Sequence, residues 1–112
     1  MAIIYSNVVQ VTVSGTQYTY QLQLSIYPSS FSSSGGTATA TATLSTSPSG
    51  GPVSGYTITL NQLSSNSTSS TVLNTWTATT NSSGVATFNN LSFPQNTTST
   101  TDTYYFDAVV SV

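Results

Sequence analysis

Four asparagines in the sequence have the spacing of acceptors for N-linked glycans. The tripeptide Asn-x-Ser/Thr begins at Asn66, Asn81, Asn90 and Asn96, and it is the motif at which a glycan is transferred to the asparagine amide. A chain with 22 Ser, 22 Thr and 8 Asn produces some of these tripeptides by chance. All four lie in predicted turns or at strand ends, where an attached sugar is solvated. We therefore expect N-linked glycans if the chain is exported.

Groups that could carry out acid–base chemistry are almost missing. The chain has no Lys, Arg, His, Cys or Glu, and its only acidic side chains are Asp102 and Asp107. General acid–base catalysis needs a group that titrates near the working pH, and a serine nucleophile here would have no His or Lys as its base. The two carboxylates are five residues apart, which places them on opposite faces of a shared strand. We expect no catalytic residue, no metal site and no cofactor.

The lack of positive charge also limits the partners. Charged residues make up 2% of the 112-residue chain, whereas an average soluble domain contains about 25%. Nucleic-acid binding depends on Lys and Arg at the phosphates, so we expect no nucleic-acid partner. No apolar run reaches the roughly 18–20 residues that a membrane-spanning helix needs, so we expect no membrane span.

The elements that must hold these residues are β-strands, because apolar and polar residues alternate along most of the chain. Between Tyr18 and Ile26, for example, every even-numbered position is apolar. Alternation and turn residues together predict strands at 18–26, 37–44, 53–60, 72–79, 85–93 and 104–112, and they predict no helix. Short strands separated by turns rich in Ser, Gly and Pro favour an all-β sandwich formed by residues 14–112.

The N-terminal run, residues 1–13, has the same alternation but fits two roles. Its apolar face consists of Ile3, Tyr5, Val9, Val11 and Val13, and Ser14-Gly15 follows it as a candidate hairpin turn. The run is either an additional strand of the home sheet, in a hairpin with the next strand, or a donor strand that completes the sheet of a neighbouring molecule. An edge strand and a donated strand have the same sequence pattern, so both roles stay open.

Two motifs in the second half of the chain agree with a known family in order and spacing. Residues 50–60 match the pattern G-x-P-V-x-G-x-x-V-T-L, with Ile58 at the second valine, and residues 80–88 match T-x-x-x-G-x-A-T-F. On these motifs, residues 35–112 resemble a bacterial Ig-like domain of the invasin/intimin type. The resemblance implies a Greek-key sandwich and a structural or adhesive role at the cell surface.

Two features depart from that family, namely the absence of Lys and the additional N-terminal run. Together with the Ser/Thr/Asn-rich composition, they resemble the glycosylated subunits of archaeal extracellular threads and of related donor-strand pili. This second resemblance implies a self-assembling homopolymer. The run Ile3–Val13 would insert into an acceptor groove on the next subunit, lined by Leu22, Leu24, Phe106 and Val110.

We therefore expect a structural subunit of a glycosylated extracellular or cell-surface filament. A viral structural protein on the virion surface, such as a capsid decoration or fibre domain, is the main alternative, because Met1-Ala2 leads directly into a strand pattern without the features of a signal peptide. A surface adhesin or carbohydrate-binding module is the third. In that module Trp76 would stack on a sugar. We favour the other role of a sandwich Trp, in which Trp76 lies buried in the core.

Overall fold

The computed structural model describes residues 2–112. These residues form six strands: β1 (Thr19–Tyr27), β2 (Gly36–Ser47), β3 (Thr57–Leu63), β4 (Val72–Thr79), β5 (Val85–Phe93) and β6 (Tyr105–Val110). No helix occurs between residues 2 and 112. The predicted all-β class is therefore confirmed, and β4 and β5 begin and end at the residues that the alternation predicted.

The strands form two antiparallel sheets of three strands each, in the orders β1-β2-β5 and β4-β3-β6. Both sheets contribute to one core, with Ala40, Ala42 and Phe88 from the first and Ile58 and Leu60 from the second. The fold is therefore β-sandwich-like, and β2 and β3 are its central strands. The inward face of β2 is mostly alanine, so the sheet that carries it leaves room for the large side chains of β3.

The sandwich has two ends that must be distinguished. At the end that we call the tail end, β1 begins and β2 and β6 finish, since Thr19 pairs with Ser47 and Ile58 pairs with Val110. At the opposite end, which we call the far end, β1 finishes and β6 begins with Tyr105. The chain therefore enters its first strand at the tail end.

Residues 2–18, which we call the tail, form no strand and extend away from the sandwich. The longest dimension of the molecule is 97 Å, against 26 and 24 Å in the other two directions. Seventeen extended residues span about 56 Å at roughly 3.3 Å per residue, which accounts for this length. The tail is thus close to fully extended.

The additional N-terminal strand or hairpin that the sequence predicted is not formed in the described residues. A two-residue hairpin turn needs a positive φ at one or both of its central residues. Positive φ occurs at Gly35, Gly50, Gly55 and Gly84 but not at Gly15. Without that turn the chain runs straight into β1, and residues 14–18 form no strand.

Strand β3 begins at Thr57, four residues later than predicted. The segment before Thr57 is held in a turn by the side chain of Thr80, the residue that follows β4. The buried hydroxyl of Thr80 donates to the carbonyl of Val53 at 2.6 Å and accepts from the N–H of Tyr56 at 3.0 Å. Gly55 has a φ of 82°. This side chain, more than 20 residues away in sequence, occupies the backbone groups that a strand at 53–56 would need.

Candidate functional site

One lateral edge of the sandwich is less well covered than the other. At the β4–β5 edge, the β5 residues Ala86, Phe88 and Leu91 are at most 5% exposed, whereas Trp76 and Ala78 of β4 are half-buried. At the β1–β6 edge, every inward side chain is only half-buried. We call this apolar strip the edge groove, and it is formed by Leu22, Leu24, Ile26, Phe106, Ala108 and Val110.

The four residues predicted to line an acceptor groove all lie in the edge groove. Leu22 and Leu24 come from β1, whereas Phe106 and Val110 come from β6. Ile26 and Ala108 were not assigned to this site from the sequence. The signal that could have found them was the same alternation, because each lies two residues from a predicted groove residue on the same face.

The edge groove has unpaired backbone groups as well as partly exposed side chains. Among the strands of residues 2–112, β1 pairs with β2 alone and β6 with β3 alone, and β4 and β5 at the other edge also have one neighbour each. Each therefore presents a row of N–H and C=O groups to which a further strand can pair. Edge strands are often protected by an inward-pointing charge, but the Asp107 carboxylate of β6 lies on the outer face, where it accepts a hydrogen bond from Asn61 Nδ2 at 3.0 Å.

At the far end the edge groove widens into two cavities of about 560 and 350 Å³, and Ile26 and Phe106 contribute to the walls of both. The larger cavity has an aromatic floor. The centroid of the Phe93 ring lies 5.2 Å from the ring centroids of Phe31 and Tyr104 and 6.0 Å from that of Phe106. Ser and Thr side chains form its rim. This end can therefore accept an apolar side chain.

At the tail end the two sheets are joined by a pair of tyrosines. The rings of Tyr20 and Tyr56 meet edge to face with their centroids 6.0 Å apart, and the Tyr20 hydroxyl donates to the carbonyl of Pro52 at 2.9 Å. The side-chain hydrogen bond with Tyr56 raises the pKa of Tyr20 above its ordinary value. The Tyr20 hydroxyl thus keeps its proton, and with it the hydrogen bond to Pro52, to a higher pH than an ordinary tyrosine would.

The tail exposes the apolar face that its alternation predicted. Its members are between 74 and 93% exposed, namely Ile3, Tyr5, Val9, Val11 and Val13. Ile4 and Val8 on the opposite face are exposed to a similar degree, at 90 and 95%. Folded monomers rarely expose a contiguous apolar surface of this kind unless it is an interaction site. The chain thus carries an uncovered groove and an uncovered strand-like segment.

The four predicted glycan acceptors differ in their exposure and in whether the amide nitrogen that would carry the glycan donates a hydrogen bond. Asn66, Asn81 and Asn90 are exposed, and Asn90 lies within β5 with a φ of 60°. Asn96 is half-buried, and its Nδ2 donates to the carbonyl of Thr100 at 2.7 Å. Glycosylation replaces one of the two Nδ2 hydrogens, so the half-buried and hydrogen-bonded Nδ2 of Asn96 is the least accessible of the four.

The remaining candidates are the two carboxylates and Trp76. Asp102 lines the larger cavity, whereas Asp107 is bonded to Asn61. Between residues 2 and 112 no group of three or more potential metal ligands occurs, and no helix there is long and apolar enough to cross a membrane. Trp76 packs inward against the core, with its ring 6.2 Å from that of Phe106.

No family model, curated protein or solved structure matches this chain.

Proposed function

We propose that the chain is a structural subunit of an extracellular filament, in which the tail of one subunit fills the edge groove of the next. The observation that carries the proposal is the pairing of an uncovered apolar groove with an exposed apolar tail in one molecule. The tail points away from its own groove, so neither surface is covered within the chain. Contact between the tail of one copy and the groove of another covers both surfaces.

The dimensions of the tail and the groove agree. The run Ile3–Val13 spans about 36 Å as a strand at roughly 3.3 Å per residue. The nine residues of β1, which form one wall of the groove, span about 30 Å on the same basis. The tail is therefore long enough to cover the whole groove.

The chemistry of the two surfaces is also complementary. The apolar face of the tail is mostly β-branched valine and isoleucine, which favour strands, and the groove is lined by aliphatic and aromatic side chains. Strand addition obtains its affinity from main-chain hydrogen bonds, here to the open edge of β6, and its specificity from alternate side chains. A contact between two different surfaces of identical subunits forms an open chain when it does not close into a ring.

The sheet topology supports an Ig-like Greek-key sandwich that lacks strands D and G. In Ig-like domains the first sheet contains strands A, B, E and D, and the second contains C, F and G, with C′ added beside C in the variable type. The orders β1-β2-β5 and β4-β3-β6 correspond to A-B-E and to C′-C-F. The position of strand G, beside β6, is the position that a donated tail would fill.

We further propose that native subunits carry N-linked glycans on Asn66, Asn81 and Asn90. A surface with 2% charged residues has little electrostatic repulsion to keep assembled molecules soluble, and bulky hydrated sugars would supply that solubility. Intact-mass spectrometry of material from the native source should show masses above that of the polypeptide. A single peak at the mass of the bare chain, 11.6 kDa, would contradict this proposal.

Deletion of residues 1–13 tests the filament directly. The full-length chain should form fibres in negative-stain micrographs, and the deletion variant should form none, because it retains the groove but has no strand to donate. Since the tail extends away from its own sandwich, the variant should keep the β-sheet circular dichroism spectrum of the parent.

A matched pair of double substitutions extends this test to a tail of full length. Val9→Thr with Val11→Thr places hydroxyls on the face that enters the groove and should shorten or abolish the fibres. Ile4→Thr with Val8→Thr makes the same chemical change on the other face and should have a smaller effect. Fibres that survive the deletion would refute strand donation.

The same assembly fits a virion fibre, and sequencing the gene neighbourhood distinguishes a cellular from a viral source.

A further inference from the structure

We infer that the donated tail runs antiparallel to β6 and enters the groove at its far end, so that subunits join head to tail. The inference rests on the proposed strand donation and adds its direction. Direction matters because it decides whether the same two surfaces produce an open filament or a closed dimer.

The direction follows from the end at which the tail leaves its own sandwich. The tail enters β1 at the tail end, so Val13 lies nearer its own sandwich than Ile3 does. If the tail enters a neighbour's groove at the far end, Val13 lies near Tyr105, where β6 begins, and Ile3 lies toward the end of β6. The two strands then run in opposite directions.

Entry at the other end of the groove would give a different assembly. Two subunits would then meet tail end to tail end, and each tail would run parallel to β6 of its partner. In that arrangement both tails and both grooves are used between the same two molecules. Such a symmetric contact closes at the dimer.

Two observations favour entry at the far end. The groove is open there, because both cavities lie beside Ile26 and Phe106. At the tail end, the Tyr20–Tyr56 contact and the hydrogen bond from Tyr20 to Pro52 join the two sheets. At the far end the contacts of Phe93 with Tyr104 and Phe106 also join the two sheets, but there they form the floor of the larger cavity and leave the space above it open.

For a tail that pairs with β6, strand polarity favours the same direction. All four strand pairings within the sandwich are antiparallel, and antiparallel pairing is slightly more stable per residue than parallel pairing. The inferred direction also places the second half of the tail's apolar face, Val11 and Val13, next to the aromatic floor formed around Phe93. That floor would then receive an aliphatic side chain in place of water.

Engineered cysteine pairs test the direction, and the absence of native cysteine makes each cross-link unambiguous. The positions lie on the outer face of the joined sheet: Ile4 or Thr12 in the tail, combined with Tyr105 or Val109 in β6. The two β6 positions are about 13 Å apart and the two tail positions about 26 Å apart at roughly 3.3 Å per residue. A short bismaleimide tolerates a register difference of one or two residues but not the reversal of the strand.

Assembled fibres of the four double-cysteine variants should give two distinct results. We expect extended ladders of covalent oligomers from Thr12→Cys with Tyr105→Cys and from Ile4→Cys with Val109→Cys. The two exchanged combinations should give several-fold less cross-linking. Each variant is also imaged without cross-linker to show that it still forms fibres.

The other outcomes separate the direction from strand donation itself. Stronger ladders from the exchanged combinations, or cross-linking that stops at the dimer, would overturn the inferred direction and leave strand donation intact. Cross-links within single chains, or fibres that give no cross-link in any variant, would contradict both the direction and strand donation.

Discussion

A synthetic peptide of residues 2–15 should strongly stabilise a sandwich that begins at residue 16. The truncated sandwich keeps every strand, because β1 begins at Thr19, but its groove residues remain half-buried. A ligand that binds only the folded state contributes about 2.7 kcal/mol at a concentration of 100 times its Kd. For a domain of this size, that corresponds to a rise in melting temperature of roughly 10–20 °C. Thermal denaturation followed by circular dichroism, over a series of peptide concentrations, measures the shift.

Matched peptides identify the face of the tail that carries this effect. A peptide with Val9→Thr and Val11→Thr has the same length and β-branching as the parent, yet it should lose most of the stabilisation, because burial of a valine side chain contributes about 1.5 kcal/mol or more. The peptide with Ile4→Thr and Val8→Thr should retain more of it. Equal shifts from all three peptides, or no shift from the parent peptide, would show that the tail does not fill the groove.

The second large effect is expected in the groove itself, from Leu24→Asp. Leu24 lies midway along β1 and is half-buried in the free sandwich, so a carboxylate there still reaches water. A donated strand would cover it, and removing a charge from water without a partner costs several kcal/mol. A loss of about 3 kcal/mol weakens each subunit junction roughly 100-fold. Analytical ultracentrifugation should therefore find mostly monomers where the parent chain forms polymers.

The neighbouring substitution Gln23→Asp is the control for charge. Gln23 lies on the outer face of the same strand and is exposed, so its replacement adds the same carboxylate without placing it in the groove. This variant should polymerise nearly as well as the parent. The melting curve of each variant, recorded in the tail-deleted sandwich, shows whether the fold survives. Parent-length polymers from a folded Leu24→Asp variant would exclude this groove as the acceptor.

Local pattern was sufficient to predict the strands and the faces of their side chains. Because successive side chains of a strand point to opposite sides, the alternation places Leu22, Leu24, Phe106 and Val110 on inward faces whatever the topology is. It also places Ile3 and Val9 on a common face of the tail. Strands β4 and β5 agree with their predicted bounds for the same reason.

Long-range contacts set the bounds of β2 and β3, which differ from the bounds that the alternation of apolar and polar residues predicted. The start of β3 depends on Thr80, whose side chain bonds the backbone of residues 53 and 56. No residue within 53–60 indicates this contact. Strand β2 likewise continues beyond its alternating core to Ser47, because β1 offers it partners as far as Thr19.

Glycosylation sites show the same division between sequence and structure. The tripeptides at Asn66 and Asn96 are equivalent in sequence, but the Asn96 amide is engaged by Thr100 within its own loop. Only the folded loop distinguishes them, because the hydrogen bond depends on backbone geometry and not on the motif.

The sequence by itself determined that the chain is built from alternating strands and that Asp102 and Asp107 are its only charged side chains. It did not decide whether Ile3–Val13 pairs at home, because a home strand and a donated strand have the same pattern. Tertiary structure decided that β1 and β6 lie together at one edge of the sandwich, since that depends on which strands are neighbours in each sheet. It also placed the tail at the end opposite the open cavities, because the order and direction of six strands fix where the chain enters the fold.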